Sequence, residues 1–126
     1  MSQFVDGNTK SFECDEAIAL HARVKLDADG KVTTAGLADK EIGTALQETF
    51  AAGEHVAVKL RTGAGTHKML VSEAITVGSA VYTEASGKVQ DTAASTSFLV
   101  GTALESSSAD GDVIEVLCNS HGDTAN

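Results

Sequence analysis

Four histidines, His21, His55, His67 and His121, and two cysteines, Cys14 and Cys118, are the residue types that could hold zinc. Zinc ligands usually come in close pairs, Cys-x-x-Cys or two histidines a few positions apart, because one turn must aim both at the same ion. None of these residues has such a neighbour, so no metal site is expected. Gly63-Ala-Gly65-Thr-His-Lys68 has the glycines and lysine of a phosphate loop, but not their order, and no helix follows to supply the anion-binding amides. It reads as a connector. Acidic residues are plentiful enough to suggest a general acid and base, yet Asp27, Asp29, Glu84, Asp110 and Asp112 all fall in turns, where a solvated rim is expected. Ser106-Ser-Ser108 has no histidine beside it in sequence, and no Gly-x-Ser-x-Gly elbow occurs. The chemistry-bearing residues therefore assign no enzyme, no catalytic residue and no cofactor.

The elements that carry these residues are organised by a repeat. Glu16-Ala-Ile18 returns as Glu73-Ala-Ile75, Val24 as Val81 and Gly30-Lys-Val32 as Gly87-Lys-Val89, each 57 positions on. After one inserted residue, Gly43-Thr-Ala-Leu46 returns as Gly101-Thr-Ala-Leu104, Ala51 as Ala109, Gly53 as Gly111 and Val58 as Val116. Residues 12–60 and 69–118 are read as two copies of one motif, joined by a connector, 61–68. Each copy should contain a tight hairpin at its Gly-Lys, between short segments of β-formers, Val24 to Leu26 and Val81 to Thr83. Each should end in a half-buried strand, with Val56, Val58 and Leu60, or Ile114, Val116 and Cys118, on the apolar phase. Thr44–Ala52 has the composition of a short helix, but its counterpart 102–110 carries three serines in a row, so strand followed by loop is expected, with at most one helical turn. The polar ends, residues 1–11 and 119–126, read as flexible arms.

At 126 residues the chain is one domain's worth, and the copies are expected to share a single core of Val24, Val32, Val56, Val58, Val81, Val89, Ile114 and Val116. Four Phe, one Tyr and no Trp leave that core to Val, Ile, Leu and Ala, which suits thin β layers. A formal charge of −9 has the wrong sign for neutralising phosphates, which excludes a nucleic-acid partner. No apolar run is long enough to cross a membrane, and Met1 to Lys10 lacks the basic-then-apolar layout of a signal peptide. A soluble protein made in a host cytoplasm, with both thiols reduced and buried, is expected.

The repeated phrase of Glu-Ala-Ile, short strand, Gly-Lys-Val, Gly-Thr-Ala-Leu, glycine turn and closing Val-x-Val or Ile-x-Val strand resembles the phage capsid cement family of head-decoration proteins, over residues 12–118. The resemblance implies an all-β, β-clip or β-tulip-like barrel or sandwich on the outer surface of an expanded phage capsid. Its implied partner is the major capsid protein, which it would bind as a homotrimer at local three-fold positions, cementing capsomers against internal DNA pressure. His21 stands where the second copy has Gly78, a departure bearing on the first copy's turn. Residues 1–68 carry eight Lys or Arg against ten Asp or Glu, and residues 69–126 one against eight, so the first copy is the better match for another protein's surface. Candidate capsid contacts are Phe4, Val5 and Lys10 in the N-terminal arm and Arg61, His67 and Lys68 in the connector. Two other readings are a small sugar- or ligand-binding barrel, which would need more aromatic residues, and a lipoyl- or biotinyl-type carrier. Lys31 and Lys88 follow hairpin glycines as a carrier lysine would, but in neither Met-Lys-Met nor Asp-Lys-Ala context.

Overall fold

Short alternating segments of valine, threonine and alanine, cut by glycine turns, fold into two five-stranded antiparallel sheets in the computed structural model, which describes residues 8–63 and 65–118. The first sheet comprises β1 (Thr9–Glu13), β2 (Arg23–Leu26), β3 (Val32–Thr34), β4 (Gly43–Ala45) and β5 (His55–Leu60), in the order β1-β5-β4-β2-β3. The second comprises β6 (His67–Leu70), β7 (Ala80–Thr83), β8 (Val89–Gln90), β9 (Leu99–Ala103) and β10 (Val113–Cys118), in the order β6-β10-β9-β7-β8. The second order is the first, one copy later, so the fold is all-β and duplicated as the sequence repeat predicts. Both Gly-Lys hairpins form, β2 with β3 and β7 with β8, the second closed by a single 3-10 turn at Ala85–Gly87. No helical turn forms between Thr44 and Ala52; β4 runs straight into bends.

Each sheet curls until its first strand meets its third. Cys14 bridges Val32 and Val71 bridges Val89, both in parallel, with Asp15 N–H donating to Val32 O at 2.9 Å and Ser72 N–H to Val89 O at 3.1 Å. A sheet closed in this way has its own interior, and this corrects the expectation of one shared core. All eight expected inward positions are buried, but in two clusters: Val24, Val32, Val56 and Val58 with Cys14, Ile18, Ala22 and Ala45, and Val81, Val89, Ile114 and Val116 with Met69, Val71, Ile75, Val100 and Ala103. Small branched side chains fill so narrow a barrel where aromatic rings would not fit. The strand boundaries also move. β1 starts at Thr9, inside the span read as an arm, and β6 starts at His67, inside the span read as a connector, so each copy opens with a strand one step before the visible repeat.

The repeated residues earn their places by closing loops. Thr49 Oγ1 accepts from Ile18 N–H and donates to Glu16 O; Ser107 Oγ does the same for Ile75 and Glu73, which ties both Glu-Ala-Ile phrases to the loop after β4 or β9. The carboxylates of Glu16 and Glu73 accept from Thr34 N–H, at the end of β3, and from Asp91 N–H, just past β8. Gln47 and Glu105 cap Ala57 and Glu115, while Glu54 and Asp112 cap Phe50 and Ser108. Backbone amides facing Asp112 hold its carboxyl below the usual range. Gly43 and Gly101 are glycines for want of space, since a Cβ there would lie 2.1 Å from Lys59 O and 2.0 Å from Leu117 O.

Candidate functional site

Where the two copies differ, their polar residues gather at the seam between the barrels. Arg23, whose counterpart in the second copy is Ala80, is fully buried at the start of β2. Its Nε donates to Lys88 O at 2.9 Å and its Nη2 to Glu84 O at 2.6 Å, both in the second copy's hairpin turn. The same guanidinium reaches Gly36 O at 3.1 Å and Glu41 Oε1 at 3.1 Å in the first copy. Burial pushes the Arg23 proton affinity down, while the carboxylate of Glu41, itself shared with Arg61 at 3.3 Å, holds the charge in place. Gly87 N–H donates to Ala35 O and Thr83 Oγ1 to Leu37 O, so the second hairpin lies against the first copy. The first copy's own turn at Asp27–Lys31 has no such neighbour: a Cβ at Gly30 would meet nothing within 4 Å, whereas one at Gly87 would sit 2.9 Å from both Ala22 Cβ and Thr34 Cγ2.

On the far side of the seam, His67 is buried rather than presented to a partner, which corrects its reading as a capsid contact. It alternates inward with Met69 and Val71, a period-two signal hidden by placing His67 in a loop. Its Nε2 lies 2.9 Å from Leu60 O, so the carbonyl fixes Nε2–H, and Nδ1 is left to accept the Cys118 thiol at 3.5 Å. Burial first, and then the nearby Lys59 and Arg61, hold the His67 proton affinity below the ordinary histidine value, against the opposing pull of Leu60 O. Burial also raises the Cys118 thiol to about 11, so it is no nucleophile at neutral pH. Cys14 is buried and Cys118 partly so, and both are free thiols.

Arg61 is likewise drawn into the structure, its side chain 14% exposed on Glu41. Lys10 sits on β1 with its ammonium 5.7 Å from the Phe12 ring. Phe4 and Val5 lie outside the described residues. Lys68 is the one connector candidate that is both described and exposed. It lines a cleft of about 420 Å³ between the outer faces of the two sheets, with Thr44 and Lys59 on the first-copy side and Thr66 and Glu115 on its own. His21, Leu46 and Glu105 complete the rim. His21 keeps the turn that Gly78 makes in the second copy, at φ +67 against +89, so its departure from the repeat leaves the backbone path intact.

The two hairpin lysines are both ion-paired, Lys31 to Glu13 at 3.3 Å and Lys88 to Asp110 at 2.7 Å. Among the described residues no three His, Cys, Asp or Glu side chains gather as metal ligands, and no helix is long and apolar enough to cross a membrane. What the described surface offers is a pair of barrels, joined through a buried arginine, with a cleft of mixed charge between them.

Compared with protein families, the chain matches the phage cement protein family over residues 47–118, from the loop before β5 to the end of β10. No curated protein matches it. Among solved structures it is similar to the crystal structure of the head fiber gp8.5 N base of bacteriophage phi29, at 13% identity and a TM-score of 0.69, over 88% of this chain and 92% of that one.

Proposed function

The chain belongs to the phage cement protein family, and from that premise we propose that it binds the outer surface of an expanded head and cements neighbouring capsomers against internal DNA pressure. A structural role in the phage virion is supported by the family match and by a fold shared with a phage head protein. The observation that carries the reading is the match itself, which spans more than half the chain and takes in the whole second barrel.

The build of the molecule supports the finer steps. A decoration protein transmits load between capsomers, so its halves must not slide, and Arg23, Glu41 and the docked second hairpin tie them together through buried, charge-assisted hydrogen bonds. The partner is the major capsid protein, and the protein acts as a homotrimer at local three-fold positions. The first copy faces the head, because nearly all the net negative charge lies in residues 69–126, and a dense set of carboxylates is costly to cover with another protein. In the N-terminal segment Phe4 and Val5 serve as apolar anchors, followed by Lys10 on β1. Cosedimentation of the purified protein with expanded and unexpanded heads tests the proposal. Saturable binding to expanded heads, at a copy number set by their local three-folds, is expected; equal binding to both forms, or to neither, contradicts it.

A further inference from the structure

The cleft between the barrels contains donors that the fold does not use. Its carboxylates are engaged: Glu105 accepts from Glu115 N–H at 2.7 Å, and Glu115 accepts from the Thr66 hydroxyl. Lys59 donates to Thr66 O. Lys68, on the same wall, has no ion-pair partner among the described residues. His21 has a buried Nδ1 without a hydrogen-bond partner. A buried bare lone pair is tolerated better than a buried orphan N–H, so the ring proton belongs on Nε2, the nitrogen left open to solvent. Burial, and then the nearby Lys68, lower the proton affinity of His21, so the ring is neutral at pH 7. His21 also holds φ +67, a left-handed conformation that the second copy gives to Gly78. The fold does not require an imidazole there, and a side chain kept in a strained position beside a cleft is a reason to look for its use.

From these groups we infer that the cleft seats a glutamate side chain of the capsid protein, its carboxylate accepting from Lys68 and His21 Nε2–H and its methylenes lying along Leu46. This rests on the head-binding reading and names the recognition chemistry within it. The occupant follows from the two donors left unspent, one of them cationic, while Glu105 and Glu115 each already accept a hydrogen bond from within the fold. A carboxylate takes two convergent donors, and the adjacent leucine favours a side chain with two methylenes over a compact anion such as phosphate.

Two experiments on the full chain separate this inference from the reading beneath it. In the first, the protein is titrated with the blocked tripeptide acetyl-Gly-Glu-Gly-amide, the Gln analogue and inorganic phosphate, and the His21 ring and Lys68 side-chain NMR signals are followed. Saturable shifts with the Glu peptide are expected, at least tenfold weaker with the Gln peptide and with phosphate. Equal responses to all three, or none, overturn the assignment whether or not heads are bound. In the second, wild type, His21→Gly and Lys68→Ala are compared on expanded heads. Gly78 shows that glycine suits the turn, so His21→Gly should melt no lower than wild type while binding heads at least tenfold more weakly, as should Lys68→Ala. Wild-type occupancy by both variants overturns the cleft as a contact. Failure of the wild type to bind heads defeats the head-binding reading and the capsid occupant with it, leaving the peptide titration to decide the chemistry of the cleft. Concentration-dependent self-association that is lost in both variants would assign the cleft to a second copy of this chain, and would also overturn the inference.

Discussion

Replacing Gly87 and Gly30 by alanine, one at a time, perturbs the same repeated turn in two settings. Both glycines have positive φ, +73 and +80, so each alanine meets a left-handed penalty of about 1–2 kcal/mol, partly offset by about 0.4–1 kcal/mol from a stiffer unfolded chain. At Gly30 the new methyl meets nothing within 4 Å, and the net loss should stay near 1 kcal/mol. At Gly87 it would lie 2.9 Å from Ala22 Cβ and Thr34 Cγ2 and 3.2 Å from Arg23 N, against an ordinary carbon contact of about 3.5–4 Å. Ala22 Cβ and Arg23 N are fixed to the backbone and cannot swing aside, and only the Thr34 methyl can turn away about its χ1, so overpacking adds about 1–3 kcal/mol. Lifting the turn also stretches the bonds from Arg23 to Lys88 O and Glu84 O, each a hydrogen bond to a buried charge worth about 1.5–3 kcal/mol. The expected losses are about 1 kcal/mol for Gly30→Ala and about 3–5 kcal/mol for Gly87→Ala. At about 4 °C per kcal/mol for a chain of this size, the melting temperature should fall by about 4 °C and about 12–20 °C. Calorimetry on the two variants side by side checks this. Equal falls would show that the second hairpin is not docked and would refute the seam.

Arg23→Met should destabilise the protein by about 3–5 kcal/mol in urea denaturation, because the buried Glu41 carboxylate loses the buried guanidinium of Arg23; pairing it with Glu41→Leu should recover part of the loss. Stability should fall as pH drops through about 6.5, since His21 and His67 both bind protons less readily folded than unfolded, and the unfolded chain gains protons first. Glu73, whose proton affinity is raised by its hydrogen bond with the Asp91 side chain, acts in the opposite sense at lower pH, so the comparison belongs between pH 5.5 and 7.5, where His21→Gly should flatten the wild-type slope. Cys118, with its thiol near 11, should react with a maleimide at pH 8 about a hundredfold more slowly than an unperturbed thiol, and at the unperturbed rate once the chain is unfolded in urea.

Duplicated residues made the fold legible. Glu16 and Glu73, Gly43 and Gly101, and Thr44 to Leu46 with Thr102 to Leu104 recur because each closes a loop or fits a tight approach that both barrels need. The first strand of each copy was not legible, because β1 and β6 share no phrase that a repeat search can align; they share only an inward alternation, Phe12 to Cys14 and His67 to Met69 to Val71. Two closed cores in place of one could not be read from the pattern either, since alternation says which side chains point inward and not whether a sheet curls onto itself. The seam lay in the mismatches. His21 against Gly78, Arg23 against Ala80 and Glu41 against Leu99 are polar residues of the first copy without a polar twin, and all three stand where the barrels meet or beside the cleft they form. A connector rich in glycine suggests exposure for Arg61 and His67, whereas Glu41 and Leu60 O take them inward.

The central claim is that this chain bridges capsomers, and a cryo-EM reconstruction of expanded heads with and without the protein tests it most directly. The account predicts added density on the outer surface, straddling capsomer boundaries at local three-fold positions, with the first barrel against the head and Lys68 at the contact. Density confined to capsomer centres, or no density at saturating protein, would contradict it.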